Sequence, residues 1–442
     1  MLQREDALAE ALPALSKQEA LVEANRCLYC YDAPCTHACP THIDIPGFIK
    51  KIATENTLGS ARTILSANLL GATCARVCPV QELCEGACVL GAEHKPIMIG
   101  RLQRYAMDYV YRRDSFPLAS APATGKKVAV VGAGPAGLSC AGELALLGHA
   151  VTLFEKRNFA GGLSAYGIIA LREPWEIALT EAAMIERLGV TMRTGVELDS
   201  TAAASGLRND YDAIFIGGGL ESSMPELGIP GEEHIVDGLK YVEQSKMDLA
   251  NLRIGRSVVV IGAGNTAIDC ATIARRLGAE RVTIAYRRTE REMTAYPHEY
   301  EFARNEGIEF RFLAQPIQVL SDSSGVTGLE CVVMSLGERD ESGRPSPRPR
   351  WDSKFVLRAD QVVKAIGQLK HSVAQIFGVK TERGYIQVDD KMKTSSPGVF
   401  AGGDCIRAAG SATTVMAVQD GKIAARSIHT ALASAATAGR VA

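Results

Sequence analysis

Apolar residues follow two different rhythms along this chain, and the change from one to the other divides it. Short, unbroken β-branched runs, KVAVV at 127–131 and SVVVI at 257–261, each open onto a glycine turn and then onto helical apolar spacing. A second strand-like run follows each of them, AVTLFEK ending the first unit and RVTIAY the second. This repeated strand, turn, helix and strand predicts two Rossmann-like α/β folds. Upstream of residue 121 the spacing is helical, in GFIKKIATEN and GSARTILSANLL, and the helices alternate with cysteine-bearing loops. The predicted fold class is therefore an α-helical N-terminal domain followed by two α/β nucleotide-binding domains. DSFPLASAPATGKK, at 114–127, offers little to bury and reads as a linker. From about Ile366 the chain holds GVFAGGDC and the helix-like SATTVMAVQDGKIAARSIH, too little for a further α/β domain. That tail is expected to complete the first fold, with the second inserted in it. The expected segments are 1–120, 121–225 (first part of the first fold), 226–365 (second fold) and 366–442 (second part of the first).

The chain has 442 residues, which exceeds one ordinary domain. Its 48 basic and 50 acidic residues leave a net charge of -2 and no polybasic field for nucleic acid. The N-terminal MLQREDALAEALPALSKQEA is too charged for a secretory signal, and no later run is long and apolar enough to span a membrane. A cytoplasmic location is expected. In that compartment the 12 cysteines are not expected to be disulfides.

Eight of those cysteines lie between Cys27 and Cys88. The first quartet is Cys27-x2-Cys30-x4-Cys35-x3-Cys39 followed by Pro40; the second is Cys74-x3-Cys78-Pro79, then Cys84-x3-Cys88. Thiolates in one short run closed by Cys-Pro suit iron–sulfur clusters better than zinc, which usually takes separated CxxC knuckles. In such runs the cysteine before proline can serve the other cluster, so spacing alone does not assign the ligands. The remaining cysteines, Cys140, Cys270, Cys331 and Cys405, stand singly. No CxxC occurs from residue 121 onward, so electrons cannot leave a flavin there through a thiol pair.

The first turn is Gly132-Ala-Gly134-Pro135-Ala136-Gly137. Its glycines allow in turn a tight bend, close approach to a pyrophosphate and close packing of helix on strand. The next strand ends in Glu155 and Lys156, and a carboxylate at Glu155 can accept from ribose hydroxyls. Gly161-Gly162-Leu163 and the distant Gly402-Gly403-Asp404 fit FAD, with the aspartate toward the ribityl chain. The second turn, Gly262-Ala-Gly264-Asn265-Thr266-Ala267, suits NAD(P). Its second strand ends in Tyr286-Arg287-Arg288 where an NAD site places an acid, and guanidinium groups there favour the 2′-phosphate of NADPH.

Together these motifs, over nearly the whole chain, resemble the flavin and iron–sulfur electron-input module shared by glutamate synthase small subunits and dihydropyrimidine dehydrogenase. The N-terminal stretches CLYCYDAPCTHACPTHIDIPGFIKKIATEN and LLGATCARVCPVQELCEGACVLGAEHKPIMIGRLQRYA look closer to the second family, above all at Gln103. The resemblance implies one [4Fe–4S] cluster on Cys27, Cys30, Cys35 and Cys88, a second on Cys39, Cys78, Cys84 and Gln103, and a free Cys74. It also implies FAD contacts from Gly134, Ala136, Glu155, Gly162, Leu163, Arg172, Asp404 and the Thr413–Thr414 region. A further basic residue that the family places near the 2′-phosphate is Thr294 here. The implied function is electron input: NAD(P)H reduces FAD, and electrons pass through two clusters to a partner subunit bearing FMN and iron–sulfur centres that reduces uracil or thymine. The alternatives are a glutamate synthase small subunit, an NAD(P)H:ferredoxin oxidoreductase or bifurcating transhydrogenase subunit, and a non-catalytic redox sensor. Intact cluster cysteines and Asp404 argue against the last.

Overall fold

The computed structural model describes residues 2–113, 116–339, 343–407 and 412–438. Asp114 and Ser115, which open the expected linker, and Ser411, which opens the expected C-terminal helix, lie outside them. The chain forms two compact units. One comprises Met1–Ala11, Tyr166–Pro174 and Glu221–Leu369; the other comprises Leu12–Ala165, Trp175–Leu220 and Lys370–Ala442.

The larger unit is built on a five-stranded parallel sheet in the order Val399–Ala401, Ala213–Ile216, Lys127–Val131, Ala150–Glu155, Thr191–Thr194. Ala213–Ile216 is buried at every position and Lys127–Val131 at all but its first, as parallel strands covered on both faces must be. Val399–Ala401 pairs in parallel with Ala213–Ile216, so the C-terminal tail does complete the first fold and the second is an insertion. After that strand comes the C-terminal helix Thr414–Ala438. Its Gly421 lies against Pro135–Leu146, where a Cβ would come within 2.2 Å of the Ala136 carbonyl oxygen.

The cysteine-bearing helices belong to this same unit. Expected GFIKKIATEN and GSARTILSANLL form Ile45–Ala53 and Thr57–Leu65, each started by a side-chain cap, Asp44 and Asn56, onto Gly47 and Gly59. Phe48, Ile49, Ile64, Leu65, Leu102 and Met107 form their common core.

The smaller unit repeats the parallel plan in the order Val236–Asp237, Gln361–Lys364, Ser257–Ile261, Arg281–Tyr286, Glu309–Phe312. It adds a three-stranded antiparallel sheet, Ala314–Asp322, Gly325–Arg339 and Pro345–Arg358, which the apolar pattern did not announce. Residues up to Ala11 group with this unit, where Arg4 donates to the carbonyls of Leu249 and Leu252, both at 3.2 Å. Among the described residues no helix is long and apolar enough to cross a membrane.

Candidate functional site

In the larger unit, both sheet strands beside the topological switch end in glycine. Gly132 follows Lys127–Val131 and Gly217 follows Ala213–Ile216; a Cβ on Gly132 (φ 95°) would lie 2.5 Å from the Gly217 carbonyl oxygen. Gly137 is tighter still, since its Cβ would lie 1.8 Å from the Gly132 carbonyl oxygen. Gly134 differs. A Cβ there meets nothing nearer than Gly162 Cα at 3.9 Å, so this glycine keeps clear the cradle at the N-terminus of helix Pro135–Leu146, where amide groups and the helix dipole favour a pyrophosphate.

Glu155 is buried and accepts from the Ala133 amide at 2.7 Å and the Arg157 amide at 2.8 Å. It thus ties strand end to turn, and each carboxylate oxygen keeps a second lone pair for ribose hydroxyls. Gly403 (φ 81°) brings the distant GGD motif against the same helix, with a Cβ position 3.0 Å from Ala136 Cβ. Its amide donates to Asp420, which also holds Arg407. Burial raises the Asp404 pKa against the opposing pull of Arg407. A half-buried carboxyl beside a glycine cradle can accept from a ribityl hydroxyl. Thr413 accepts from the Met416 amide and starts the C-terminal helix at Thr414. Gly162 and Leu163 lie directly beneath the turn, where a Cβ on Gly162 would come within 2.7 Å of Gly134 Cα. Lys156 lies one residue past Glu155 at the strand end, with Nζ 3.5 Å from His371 Nε2. These residues fit FAD.

Arg172 is placed otherwise. It belongs to the smaller unit, where its guanidinium grips Asp269 through both carboxylate oxygens at 2.6 Å and Glu299 at 2.7 Å.

The cysteines gather into two hollows. Cys27, Cys30, Cys35 and Cys88 line the first, with Ile45, Ile49 and Ile97 around them. Cys39, Cys74, Cys78, Cys84 and Gln103 line the second, together with Val415 from the C-terminal helix. The quartets of the sequence are therefore crossed, with Cys88 in the first hollow and Cys39 in the second. Tyr29 (φ 51°) and His42 (φ 54°) take left-handed backbone in the two loops that turn these thiols inward. Burial pushes the Cys35 thiol up to about 11, with the charges of Cys27 and Cys88 adding to it. The Cys78 thiol is pushed up by its hydrogen bond with Cys74, by burial and by Cys84 and Cys39. Thiols crowded in an apolar pocket resist ionisation until a positive centre compensates them.

Each hollow is lined by four cysteines among mostly apolar side chains, a donor set that fits a [4Fe–4S] cluster. The second offers one ligand more than four corners require. Gln103 donates from Nε2 to the Gly71 carbonyl at 2.7 Å, which leaves Oε1 for the hollow, whereas Cys74 is spent on Cys78. Both Cys74 and Gln103 thus stand at the second hollow beside Cys39, Cys78 and Cys84.

Three residues of this region escaped the sequence reading. Glu181 is buried and accepts from the Ala72 amide (2.7 Å), the Thr73 amide (3.3 Å) and the Tyr111 hydroxyl (2.8 Å), anchoring the segment that carries Cys74 and Cys78. Lys422 is buried on the C-terminal helix and donates to the Thr41 and Ala67 carbonyls. Thr41, fully buried, sets its hydroxyl 3.4 Å from Cys39 Sγ. The cue for Lys422 is that it shares a helix face with the apolar Val415, Val418 and Ala425.

In the smaller unit Gly262 (φ 128°) and Gly264 form the second turn, and Gly264 precedes the helix Asn265–Arg276. The segment after Arg291 leans on it: the Thr294 and Ala295 amides donate to the Ala263 carbonyl, and Asn265 accepts from the Tyr296 amide. Thr266 and Ala267 begin the helix, Ala267 fully buried. The arginine pair separates. Arg288 is buried and donates to the Pro345 carbonyl at 3.0 Å, while Arg287 is exposed at the strand end.

Residues 126–424 match the family model described as pyridine nucleotide-disulphide oxidoreductase, and residues 4–115 match dihydropyrimidine dehydrogenase domain II, 4Fe-4S cluster. The NADPH-dependent glutamate synthase small chain of Escherichia coli (strain K12) is 33% identical, over 95% of this chain and 93% of its own length. The NADP(+)-dependent formate dehydrogenase subunit beta of Moorella thermoacetica is 37% identical over 92% of this chain, and the NADPH-Fe(3+) oxidoreductase subunit beta of Geobacter sulfurreducens is 38% identical over 76%. Of those last two proteins the chain spans only 61% and 51%. Among solved structures, Mycobacterium tuberculosis FprA in complex with NADPH shares the fold with a TM-score of 0.58 and 19% identity, over 72% of this chain and 86% of that one. Thioredoxin reductase from T. acidophilum gives 0.53 and 24%, over 70% and 99%.

Proposed function

We propose, from the premise that this chain belongs to the pyridine nucleotide-disulphide oxidoreductase family and carries an N-terminal 4Fe-4S domain, that it is the electron-input subunit of a larger NADPH-dependent enzyme. The observation that carries the reading is the pair of crossed cysteine hollows in the same compact unit as the flavin cradle. When bound, FAD converts hydride chemistry into one-electron chemistry, and the clusters carry single electrons.

The chain's own residues supply position and charge. Gly134 and Gly162 admit the pyrophosphate, Glu155 and Asp404 take sugar and ribityl hydroxyls, and Arg287 selects the 2′-phosphate at the second turn. Val415 lines the hollow of Cys39, Cys78, Cys84 and Gln103 one residue after Thr414, which supports reading this inner site as the one next to the flavin. The hollow of Cys27, Cys30, Cys35 and Cys88 is then the exit, and Leu28 and Val89 are exposed around it. With all single cysteines after residue 121 buried and unpaired, a dithiol route is unsupported.

For the partner we favour the glutamate synthase type, because the relative of that name is matched along nearly its whole length. Such a partner would form glutamate from glutamine and 2-oxoglutarate. A pyrimidine-reducing partner with FMN is the second reading, favoured by Gln103 at the inner hollow. Anaerobically purified protein is expected to hold about eight irons and one FAD per chain and to oxidise NADPH with an artificial acceptor. Zinc in place of iron would sink the reading. Co-purification followed by assays with uracil and with glutamine plus 2-oxoglutarate separates the partners.

A further inference from the structure

Lys422 is an unusual residue to find where it is. It is 6% exposed on the C-terminal helix, beside the buried Val418 and Ala425, and its two hydrogen bonds, 3.1 Å to the Thr41 carbonyl and 2.7 Å to the Ala67 carbonyl, both go to the cysteine-bearing part of the unit. Ala67 lies just past the end of helix Thr57–Leu65, whose unpaired carbonyls favour a cation. Thr41 is fully buried and its hydroxyl meets Cys39 Sγ at 3.4 Å. A thiolate can only accept, so with Cys39 as a cluster ligand this hydroxyl donates to sulfur. A buried lysine is costly unless its charge is used. Glu143, on helix Pro135–Leu146, is its anionic neighbour and Arg426 its cationic one.

Cluster potentials respond to net charge, to hydrogen bonds on the sulfurs and to exposure. Reduction adds one electron, and no bond is made or broken. A fixed positive charge and an O–H···S bond both favour the state with the extra electron. We propose that Lys422 and Thr41 are positioning residues that raise the reduction potential of the inner cluster, the one held by Cys39, Cys78, Cys84 and Gln103, and so make it an acceptor for flavin-derived electrons. This inference rests on the cluster assignment made above.

The test is an EPR-monitored redox titration of the anaerobic holoprotein, with iron and FAD content measured on the same samples. In Lys422→Met the ratio of reduced to oxidised inner cluster at a fixed potential should fall about tenfold, ~59 mV for a one-electron couple, with the outer cluster unmoved. Lys422→Arg should restore most of it, Thr41→Val should give a smaller fall, and Glu143→Gln, which removes an opposing charge, should shift the inner midpoint upward. Should Lys422→Met fail to load clusters, Thr41→Val and Glu143→Gln decide the matter through their opposite signs. Unchanged inner midpoints in loaded variants, or equal shifts in both clusters, would overturn the proposal. Wild-type protein without two iron–sulfur signals would instead overturn the cluster reading.

Discussion

At the first glycine turn the third small residue is Gly137, and a methyl group there would sit 1.8 Å from the Gly132 carbonyl oxygen; at the second turn the same position is Ala267, buried completely and accommodated. The surroundings differ in the same sense. The first turn is tied to its own second strand by Glu155, closed from below by Gly162 and met by Gly403 from the far end of the chain. The second lacks the acid and ends its strand in Tyr286 and an exposed Arg287. The first site is assembled from three distant pieces of chain; the second takes its own turn, the segment of Thr294, Ala295 and Tyr296, and the Ala365 carbonyl against Gly262. The contrast shows one motif grammar closed in two ways, the difference lying in what packs around the turn.

Breaking the tighter site should cost most. Gly137→Ala forces a methyl against a backbone carbonyl, with no flexible side chain to give way, and is expected to destabilise the larger unit by about 4 kcal/mol or more and to abolish FAD retention. Absorbance of the purified variant and its melting temperature check this. Next comes the recognition side of the looser site. Arg287→Ala should raise KM for NADPH about tenfold to a hundredfold, the worth of one charge-assisted contact, and leave KM for NADH nearly unchanged. An equal rise for both would mean that the arginine does not read the phosphate.

A third change bears on what fastens the flavin fold to the cysteine helices, a fastening that the second fold does not need. Burial raises the Glu181 pKa above the ordinary 4.5, against the pull of its Thr73, Tyr111 and Ala72 donors. The sign follows from linkage. The protonated form is favoured in the folded protein, so the stability from this group is complete below 4.5 and is lost as pH rises through the folded value. Glu181→Gln should cost about 1–3 kcal/mol near pH 5 through weakened hydrogen bonds, and should flatten the decline at higher pH. Melting curves from pH 4 to 8 on both proteins decide it.

Much of this was legible in the sequence because its signals are local. Strand, glycine turn and acid lie within 29 residues from Lys127 to Glu155, and the structure places them as the spacing implied. The insertion of one fold in the other followed from the shortness of the tail. What stayed hidden depends on contacts between distant positions. Nothing near Lys422 announces Thr41, 381 residues earlier, and nothing near Glu181 announces Ala72, 109 residues earlier. Arg172 and Arg288 carry the same lesson from the other side. Each is an arginine in the expected stretch, yet one is held by Asp269 and Glu299 and the other by the Pro345 carbonyl, partners that no local pattern specifies. The antiparallel sheet between Ala314 and Arg358 was missed because its strands carry too few buried positions to set a clean alternation.

The smallest effect is the most direct probe of the comparison. If the second turn tolerates a side chain because helix and strand stand slightly apart there, removing that side chain should relieve no clash. Ala267→Gly then loses only helix propensity and a little buried surface, about 1 kcal/mol, and KM for NADPH should stay within about twofold. Were the alanine instead part of a wall that shapes the nucleotide site, its loss would weaken NADPH binding out of proportion to stability. Measuring melting temperature and KM together on Ala267→Gly separates the two. A large change in KM with an unchanged melting temperature would show that the turn's third residue, and not what surrounds the turn, sets how tightly the second dinucleotide is held.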